Sequence, residues 1–313
     1  GAPVEKRPIN WDGSVDMHDD VCVLIRSWRE DAVYVTVAIQ SIMKHMPNAR
    51  EIALVVPHED YDHFVHQQLG RNISNSVRLI AEARLIDDDR LPQKDSTKMA
   101  DTYCSSKYIF HLDSDTVFTR KIYRRDLLFM GRPLLEYDRY DNNPSAAAMR
   151  RKAGTEAVVG KHLDNDFSRS SNRMYPRTVY AAARRHIEDR FDTTLREFMS
   201  TRVVRPPECP DCSTNVTSHC MFSDSNYIGA YLWFYMRETV WWMPLDAEES
   251  RESFMRPIIV PFVCQGNARL AHRYGRVHED VAALSRAMET GDCAASIQIG
   301  ADFVKVGVSD QAG

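Results

Sequence analysis

The sequence lacks the features that mark several classes of protein. Glycine occurs 13 times and proline 14 times in 313 residues, which is too few for a fibrous or low-complexity chain. No apolar run approaches the roughly 18–20 residues that a membrane-spanning helix needs. The first residues also lack the basic and apolar blocks of a signal peptide. The sequence starts at Gly1 rather than Met, so a natural targeting or anchoring segment ahead of it stays an open alternative.

The sequence also lacks an excess of charge of one sign. Lys and Arg total 40 and Asp and Glu total 44, giving a formal net charge of −4. Without an overall basic field, nucleic-acid binding through charge alone is excluded. Hydrophobic residues make up 43% and aromatic residues 10% of the chain, which is enough for a packed core and excludes a disordered protein.

Cysteine usage and possible glycosylation sites bear on the compartment. The chain has seven cysteines, an odd number, so at least one is free or pairs outside the chain. Cys209, Cys212 and Cys220 lie in one loop, where a disulfide is expected rather than a zinc site. Asn72 and Asn215 begin Asn-x-Ser/Thr sequons. Together these features favour a glycoprotein of the secretory-pathway lumen over a cytoplasmic protein with buried thiols.

Hydrophobic patterning predicts an α/β fold. Short continuous apolar runs predict buried strands at residues 21–25, 52–56, 77–80 and 108–112. Helical spacing predicts helices at residues 32–46, 60–69, 95–105, 126–130, 179–199 and 224–237. Their alternation predicts an open, mainly parallel sheet flanked by helices. Residues 131–177 show no regular pattern. We predict a single domain, with residues 1–20 as a flexible tail followed by two halves, 21–130 and 131–313.

Two aspartates follow the strand predicted at residues 108–112. Asp113 and Asp115 are two residues apart, so on an extended backbone both side chains point to the same side. Ligands of open α/β sheets bind outside the carboxyl ends of the strands. Two carboxylates there can share a Mn²⁺ or Mg²⁺ ion that keeps positions for a diphosphate. The alternative is an Asx turn with solvated aspartates.

These residues carry a resemblance to a known family. Residues 108–118 resemble the Asp-x-Asp segment of nucleotide-sugar-dependent glycosyltransferases of the GT-A type, and Gln93 with residues 98–101 resembles the helix that precedes it. Residues 222–231 resemble the acceptor-side segment of a poorly characterised branch of these enzymes, with Asp224 where the branch usually has Glu. The resemblance spans roughly residues 20–280. It implies a GT-A-like, Rossmann-type fold that binds a nucleoside diphosphate sugar, most often a UDP-sugar with Mn²⁺.

The resemblance also implies roles for individual residues. The end of the first strand would contact the nucleobase, and Lys98 would face the nucleotide or its phosphates. The residues implied in donor and cofactor binding are Ile25, Arg26, Ser27, Lys98, Asp113, Ser114 and Asp115. The implied metal ligands are Asp113, Asp115 and His272, with His278 as a second choice for the histidine.

Asp224 is the candidate catalytic residue. An inverting glycosyl transfer needs a base that takes the proton of the acceptor hydroxyl. Asp224 stands at the start of a predicted helix, where the positive end of the helix dipole favours an ionised carboxylate. The alternative is that Asp224 or Ser223 only caps this helix.

We therefore predict a metal-dependent glycosyltransferase, a hexosyl- or pentosyltransferase. It would move a sugar from a UDP-sugar to a hydroxyl of a glycan or glycoprotein, with a lean towards inversion, and use Mn²⁺ or Mg²⁺. Residues 21–130 would bind nucleotide and metal, and residues 131–313 the acceptor. The expected location is the Golgi lumen, with the cytoplasm as the alternative. A metal-dependent phosphohydrolase or nucleotidyltransferase, and a non-catalytic sugar-nucleotide-binding protein, stay open as alternative functions.

Overall fold

The computed structural model of the chain describes residues 18–47, 49–68, 76–82, 97–114, 116–118, 121–142, 145–168, 173–201, 223–245, 259–261, 294–296 and 305–307. The strands are β1 (His18–Arg26), β2 (Ala49–Pro57), β3 (Arg78–Glu82), β4 (Tyr108–Asp113), β5 (Thr116–Phe118), β6 (Leu128–Phe129), β7 (Arg132–Arg139), β8 (Asn165–Asp166), β9 (Met174–Pro176), β10 (Trp241–Pro244), β11 (Ile259–Pro261), β12 (Ala294–Ser296) and β13 (Lys305–Gly307). The α-helices are α1 (Ala32–His45), α2 (Tyr61–His63), α3 (Ala100–Tyr103), α4 (Arg124–Leu127), α5 (Ala146–Val159), α6 (Thr178–Phe191), α7 (Leu195–Thr201) and α8 (Asp224–Tyr235). Short 3₁₀ turns cover Arg29–Asp31, His58–Asp60, Tyr140–Asn142 and Arg237–Thr239, and a π-helix covers Phe64–Gln68.

The central sheet has five strands in the order β3-β2-β1-β4-β9. The first four are parallel to their neighbours, and β9 closes the sheet by pairing antiparallel to β4. The chain builds outward from β1 to β3 on one side and then returns to place β4 on the other side of β1. The predicted fold class, a mainly parallel sheet flanked by helices in one domain, is confirmed.

Both faces of this sheet are buried, which explains the continuous apolar runs of its strands. Alternate residues of a strand point to opposite faces. On one face, Val21, Val23 and Ile25 of β1 pack with the apolar side of α1. On the other face, Cys22 and Leu24 pack with residues of α5, α6 and α8.

A smaller sheet has the order β10-β7-β6, with β8 pairing to β7. Two further antiparallel pairs, β5 with β11 and β12 with β13, complete the strands. None of the described helices combines the length and the apolar character that a membrane-spanning segment requires.

The structure corrects the interpretation of residues 131–177 as irregular, since β7, α5, β8 and β9 all lie there. Strand β7 buries the polar side chains of Glu136 and Asp138, so its sequence does not alternate cleanly between apolar and polar. The single helix predicted over 179–199 is wrong as well. It breaks after α6 at Asp192, whose φ of 48° is left-handed, and resumes as α7.

The other predicted helices differ mainly in extent. Residues 60–68 form the last residue of a 3₁₀ turn, α2 and the π-helix. Residues 126–130 hold only the end of α4 before the chain becomes β6. The predicted helix at 224–237 is confirmed as α8, which ends two residues earlier at Tyr235.

Candidate active site

The chain reverses its direction of sheet growth between β1 and β4. In open α/β sheets this switch point leaves a crevice at the carboxyl ends of the two strands, where ligands bind. Arg26, the last residue of β1, lies opposite Asp113, the last residue of β4. Residues two apart on a strand point to the same face, so Arg26 shares a face with Leu24 and Asp113 shares a face with His111. This is the face that α6 and α8 cover. The fold therefore places a guanidinium and a carboxylate at the expected ligand site.

The Arg26 guanidinium is partly buried and lies among charged groups. Burial lowers the pKa of Arg26 from its ordinary value, and the nearby carboxylates of Asp224, Asp113 and Glu82 oppose this effect. The Arg173 guanidinium adds a smaller lowering of the pKa of Arg26, since like charges disfavour each other. Arg26 is thus the central cation of a group of carboxylates drawn from two strands and α8.

Arg173 contacts Asp113 directly. Its Nη1 atom lies 3.0 Å from both Oδ1 and Oδ2 of Asp113. The backbone carbonyl of Arg173 accepts a hydrogen bond from the amide of His111 at 3.0 Å, which fixes Arg173 just ahead of β9 and beside β4. The side chains remain accessible, with 35% of Arg173 and 55% of Asp113 exposed. The Asp113 carboxylate is therefore more accessible to a ligand than the Asp224 carboxylate, which is 10% exposed.

A buried ion pair joins the two halves of the chain. Nζ of Lys98 lies 2.5 Å from Oδ1 of Asp224. The Lys98 side chain is 1% exposed and the Asp224 side chain 10% exposed. Removing two charges from water is costly unless they are paired closely, and this short contact supplies the pairing. Ser223 is the N-cap residue of α8 and makes no capping hydrogen bond with its side chain. The carboxylate of Asp224 pairs with Lys98 instead of capping the helix.

Several contacts hold Lys98 in place. Cys104, just after α3, forms a disulfide with Cys22 of β1. The Arg184 guanidinium on α6 pairs with the carboxylate of Asp101, including a 2.8 Å contact from Nη2 to Oδ2. Arg184 Nη1 also donates to the carbonyl of Lys98 at 2.6 Å. The backbone around Lys98 is therefore fixed to both β1 and α6.

The start of α8 is fixed by Asn226, which is fully buried. Its Oδ1 accepts a hydrogen bond from the amide of Phe167 at 2.9 Å. Its Nδ2 donates to Oη of Tyr140 at 2.8 Å and to Oγ1 of Thr155 at 3.0 Å. Since a buried polar side chain is stable only when it is hydrogen-bonded, these contacts fix the turn that carries Asp224.

His111 lies behind the site as a neutral group. Its Nε2 and Oη of Tyr180 are 2.6 Å apart and share a hydrogen bond. Burial first, and then the charges of Arg26 and Arg173, lower the pKa of His111 to about 3. Burial also raises the pKa of Tyr180 well above its usual value. Neither side chain is charged near neutral pH, so the charge of the site comes from the acids and the basic side chains in front of them.

The sequence-predicted residues divide into three groups in the structure. Arg26, Lys98, Asp113 and Asp224 lie at the carboxyl edge of the sheet, in the arrangement described above. The second group is enclosed: Ile25 is fully buried in the core on the α1 face, and Ser27 is 3% exposed. Ser114 is 6% exposed, and its Oγ donates to Oδ2 of Asp31 at 2.7 Å. Because Ile25 has no exposed side chain, any ligand contact from it must use its backbone.

The third group lies outside the described residues. It contains Asp115, His272 and His278, the sequon residues Asn72 and Asn215, and the loop cysteines Cys209, Cys212 and Cys220. Within the part of the chain that the structure describes, no group of three His, Cys, Asp or Glu side chains could hold a metal ion. Asp113 fits one position of such a site, since its carboxylate is accessible and already attracts a cation.

Two functional features cannot be found by the sequence reasoning above. Arg173 lies in a segment without regular pattern, and only the pairing of β9 with β4 brings it to Asp113. The sequence also does not indicate the disulfide between Cys22 and Cys104, because the closely spaced loop cysteines are the more obvious partners for one another. The signal for this disulfide is that Cys22 lies in a buried strand and Cys104 lies shortly before the adjacent strand.

The chain is similar to solved galactosyltransferase structures at low sequence identity. No protein-family model matches the chain, and no curated protein matches it. Among solved structures, it is similar to the galactosyltransferase LgtC in complex with donor and acceptor sugar analogs, with 11% identity, a TM-score of 0.46, and coverage of 85% of this chain and 95% of that chain. An active-site mutant of LgtC gives 12% identity, a TM-score of 0.43, and coverage of 83% of this chain and 95% of that chain. Function is therefore inferred from this chain's own residues.

Proposed function

We propose that this protein is a metal-dependent glycosyltransferase that moves a sugar from a nucleoside diphosphate sugar to a hydroxyl acceptor. The observation that carries this proposal is the arrangement at the switch point of the sheet. There, Arg26 and Asp113 face each other across β1 and β4, and the Lys98–Asp224 ion pair comes from elements on the same face. Such a site combines cations for a diphosphate with carboxylates for a metal and an acceptor.

The basic residues suit the donor. A transferred sugar leaves behind a diphosphate, whose negative charge must be neutralised. Arginine guanidinium groups offer several N–H donors in a planar fork that matches phosphate oxygens. Arg26 and Arg173 lie beside Asp113 and would bind the diphosphate. The Lys98 ammonium, which is held by Asp224, would add positive charge beneath it.

The Asp113 carboxylate would hold the metal. Carboxylate oxygens are the ligands that Mn²⁺ and Mg²⁺ prefer. We propose Asp115 and His272 as the further ligands on the strength of the sequence resemblance. When bound, the divalent cation would supply Lewis-acid stabilisation of the leaving diphosphate.

Asp224 would act on the acceptor. Its Oδ1 atom accepts from Lys98, and among the described residues its Oδ2 atom makes no hydrogen bond. A carboxylate oxygen at the wall of the site can take the proton of an acceptor hydroxyl, as an inverting transfer requires. We propose inversion, a UDP-sugar donor of the hexose or pentose type, and a glycan or glycoprotein acceptor.

The two halves of the chain would divide this work. Arg26, Lys98 and Asp113 come from residues 21–130, the proposed nucleotide and metal half. Asp224 comes from residues 131–313, the proposed acceptor half, and the same half also supplies Arg173 to the diphosphate. We also propose the Golgi lumen as the location, because disulfides such as Cys22–Cys104 persist in oxidising compartments.

The first test measures donor binding and turnover separately. Nucleotide sugars are screened for thermal stabilisation with and without Mn²⁺, since a ligand of the folded state raises apparent stability. The stabilising donor is then incubated with hydroxyl acceptors, and UDP and glycosylated product are quantified. A glycosylated product supports the proposal. Release of inorganic phosphate or nucleotidyl transfer would show the phosphohydrolase or nucleotidyltransferase alternative, and donor binding without turnover would show a binding protein.

Variants then test the residues. Asp113→Asn should remove the metal-dependent part of donor binding, and Asp224→Asn should leave donor binding intact while lowering turnover. Asp141→Asn is the matched control, because this side chain is 84% exposed and its ion pair is with Arg139 rather than with a residue of the proposed site. Full activity of Asp224→Asn would overturn the base assignment. The anomeric coupling of the product decides between inversion and retention.

A further inference from the structure

Arg173 holds the accessible carboxylate of the site. One of its nitrogen atoms, Nη1, lies 3.0 Å from each carboxylate oxygen of Asp113. The guanidinium has five N–H donors, and the described structure uses only Nη1 in this contact. The other donors, on Nη2 and Nε, therefore remain for another anion.

The guanidinium occupies the oxygen atoms that a metal would need. A divalent cation and the Nη1 atom both approach the same two carboxylate oxygens of Asp113, and two positive charges at one carboxylate repel each other. Arg26 lies opposite Asp113 across the two strands, so Asp113 keeps a neighbouring guanidinium when the Arg173 side chain moves away. Metal binding and the Arg173–Asp113 contact are consequently in competition.

The backbone of Arg173 allows its side chain to move while its position stays fixed. The carbonyl of Arg173 accepts a hydrogen bond from the amide of His111, so the residue stays beside β4. The side chain is 35% exposed, and a long arginine side chain can change rotamer at this exposure. Any new partner must lie within its reach around Asp113, which is where the diphosphate of a donor would lie.

We propose that Arg173 is a competing counter-ion of the metal site. It neutralises Asp113 in the metal-free protein, and on metal binding it leaves this carboxylate and binds the donor diphosphate. The inference rests on the proposed metal-dependent function and deepens it, because it makes metal and nucleotide bind in a coupled way. The metal alone binds weakly, because it must displace the Arg173 guanidinium from Asp113. With nucleotide present the metal binds more tightly, because the displaced guanidinium then binds the diphosphate.

The experiment measures Mn²⁺ binding in the absence of nucleotide by electron paramagnetic resonance, and UDP binding with Mn²⁺ by calorimetry. Arg173→Gln should tighten Mn²⁺ binding by about two- to fivefold, the range for a partly exposed ion pair. The same variant should weaken UDP binding in the presence of Mn²⁺ by roughly tenfold or more, the effect of losing a charge-assisted hydrogen bond. Arg173→Lys retains the charge and should keep Mn²⁺ affinity within about twofold.

Arg177→Gln is the matched control, since this exposed arginine lies just past the opposite end of β9 and should change neither affinity. Circular dichroism and the thermal midpoint confirm that each variant is folded. Unchanged or weaker Mn²⁺ binding by Arg173→Gln would overturn the inference while leaving metal dependence in place. Absence of Mn²⁺ binding in both the wild type and Arg173→Gln would overturn the metal dependence itself, and this inference with it.

Discussion

The disulfide between Cys22 and Cys104 gives the sharpest stability prediction. It connects β1 to the residue after α3, and both cysteines are almost fully buried, at 0% and 2% exposure. A cross-link stabilises a protein mainly by reducing the entropy of its unfolded chain, and the effect grows with the length of the closed loop. The two cysteines are 82 residues apart. The chain-entropy relation then gives a contribution of about 4.5 kcal/mol at 25 °C.

This contribution is large beside the total stability of a domain, which is about 5–15 kcal/mol. We therefore expect reduction to lower the free energy of unfolding by several kcal/mol. The assay is urea denaturation of the oxidised and reduced protein, followed by fluorescence. Peptide mapping without reductant should recover Cys22 and Cys104 in one cross-linked peptide.

The double variant Cys22→Ala/Cys104→Ala separates this bridge from the other five cysteines of the chain. Its stability should resemble that of the reduced wild type, and reductant should change it little further. The reasoning is refuted if reduction lowers the unfolding free energy of the wild type by less than about 1 kcal/mol, well below the chain-entropy value. It is equally refuted if the double variant keeps the full response to reductant.

Three further predictions follow from buried groups. The pKa of His111 is about 3 in the folded protein against an ordinary histidine value of 6.5, so the unfolded chain binds more protons between these two values. Stability should therefore fall as pH decreases from about 6.5 towards 3, by up to about 1.4 kcal/mol per pH unit, measured by denaturation at several pH values. Lys98→Met should destabilise the fold by about 3–5 kcal/mol, because it leaves the carboxylate of Asp224 buried and unpaired. Gly229→Ala should destabilise the fold by about 1–3 kcal/mol, since the added Cβ would overlap Cβ of Phe167.

Each of these predictions has its own control. His111→Phe combined with Tyr180→Phe removes both hydrogen-bond partners, and the pH dependence between 3 and 6.5 should become flatter; an unchanged slope would contradict the assignment to His111. Lys98→Met combined with Asp224→Leu should recover part of the lost stability, and a larger loss in the double variant would contradict the pairing of these two side chains. A fully stable Gly229→Ala would show that α8 and Phe167 leave room for a Cβ atom at this position.

The sequence predicts the central sheet well because its strands are buried on both faces. Such strands read as continuous apolar runs, which single out β1, β2 and β4 without reference to the rest of the chain. Asp113 could be predicted for the same reason, since a carboxylate directly after a buried strand must lie at the sheet edge. Lys98 and Asp224 are both candidate site residues from the sequence, through the resemblance of residues 98–101 and 222–231, but their ion pair across 126 residues cannot be predicted from local pattern.

Other parts were out of reach for physical reasons. Strand β9 has only three residues, too few for a period to show, and its antiparallel pairing brings Arg173 to the site. Strand β7 buries Glu136 and Asp138, and these polar residues make its sequence look like that of an exposed segment. The break after α6 falls at Asp192 in a left-handed conformation, with no proline or glycine to mark it. The two strands are thus defined by tertiary pairing and burial, whereas the helix break is a local turn at an aspartate.

The spacing of the site residues along the chain has a consequence for how the protein acquires activity. Lys98 and Asp224 are 126 residues apart, and Arg173 and Asp113 are 60 apart. Contacts of this separation form late, because a long loop must close before they contribute stability. During refolding, the regain of turnover should therefore trail the regain of helical signal. A chain stopped short of α8 during synthesis would contain the proposed donor-binding residues Arg26, Lys98 and Asp113 but lack Asp224, the proposed base.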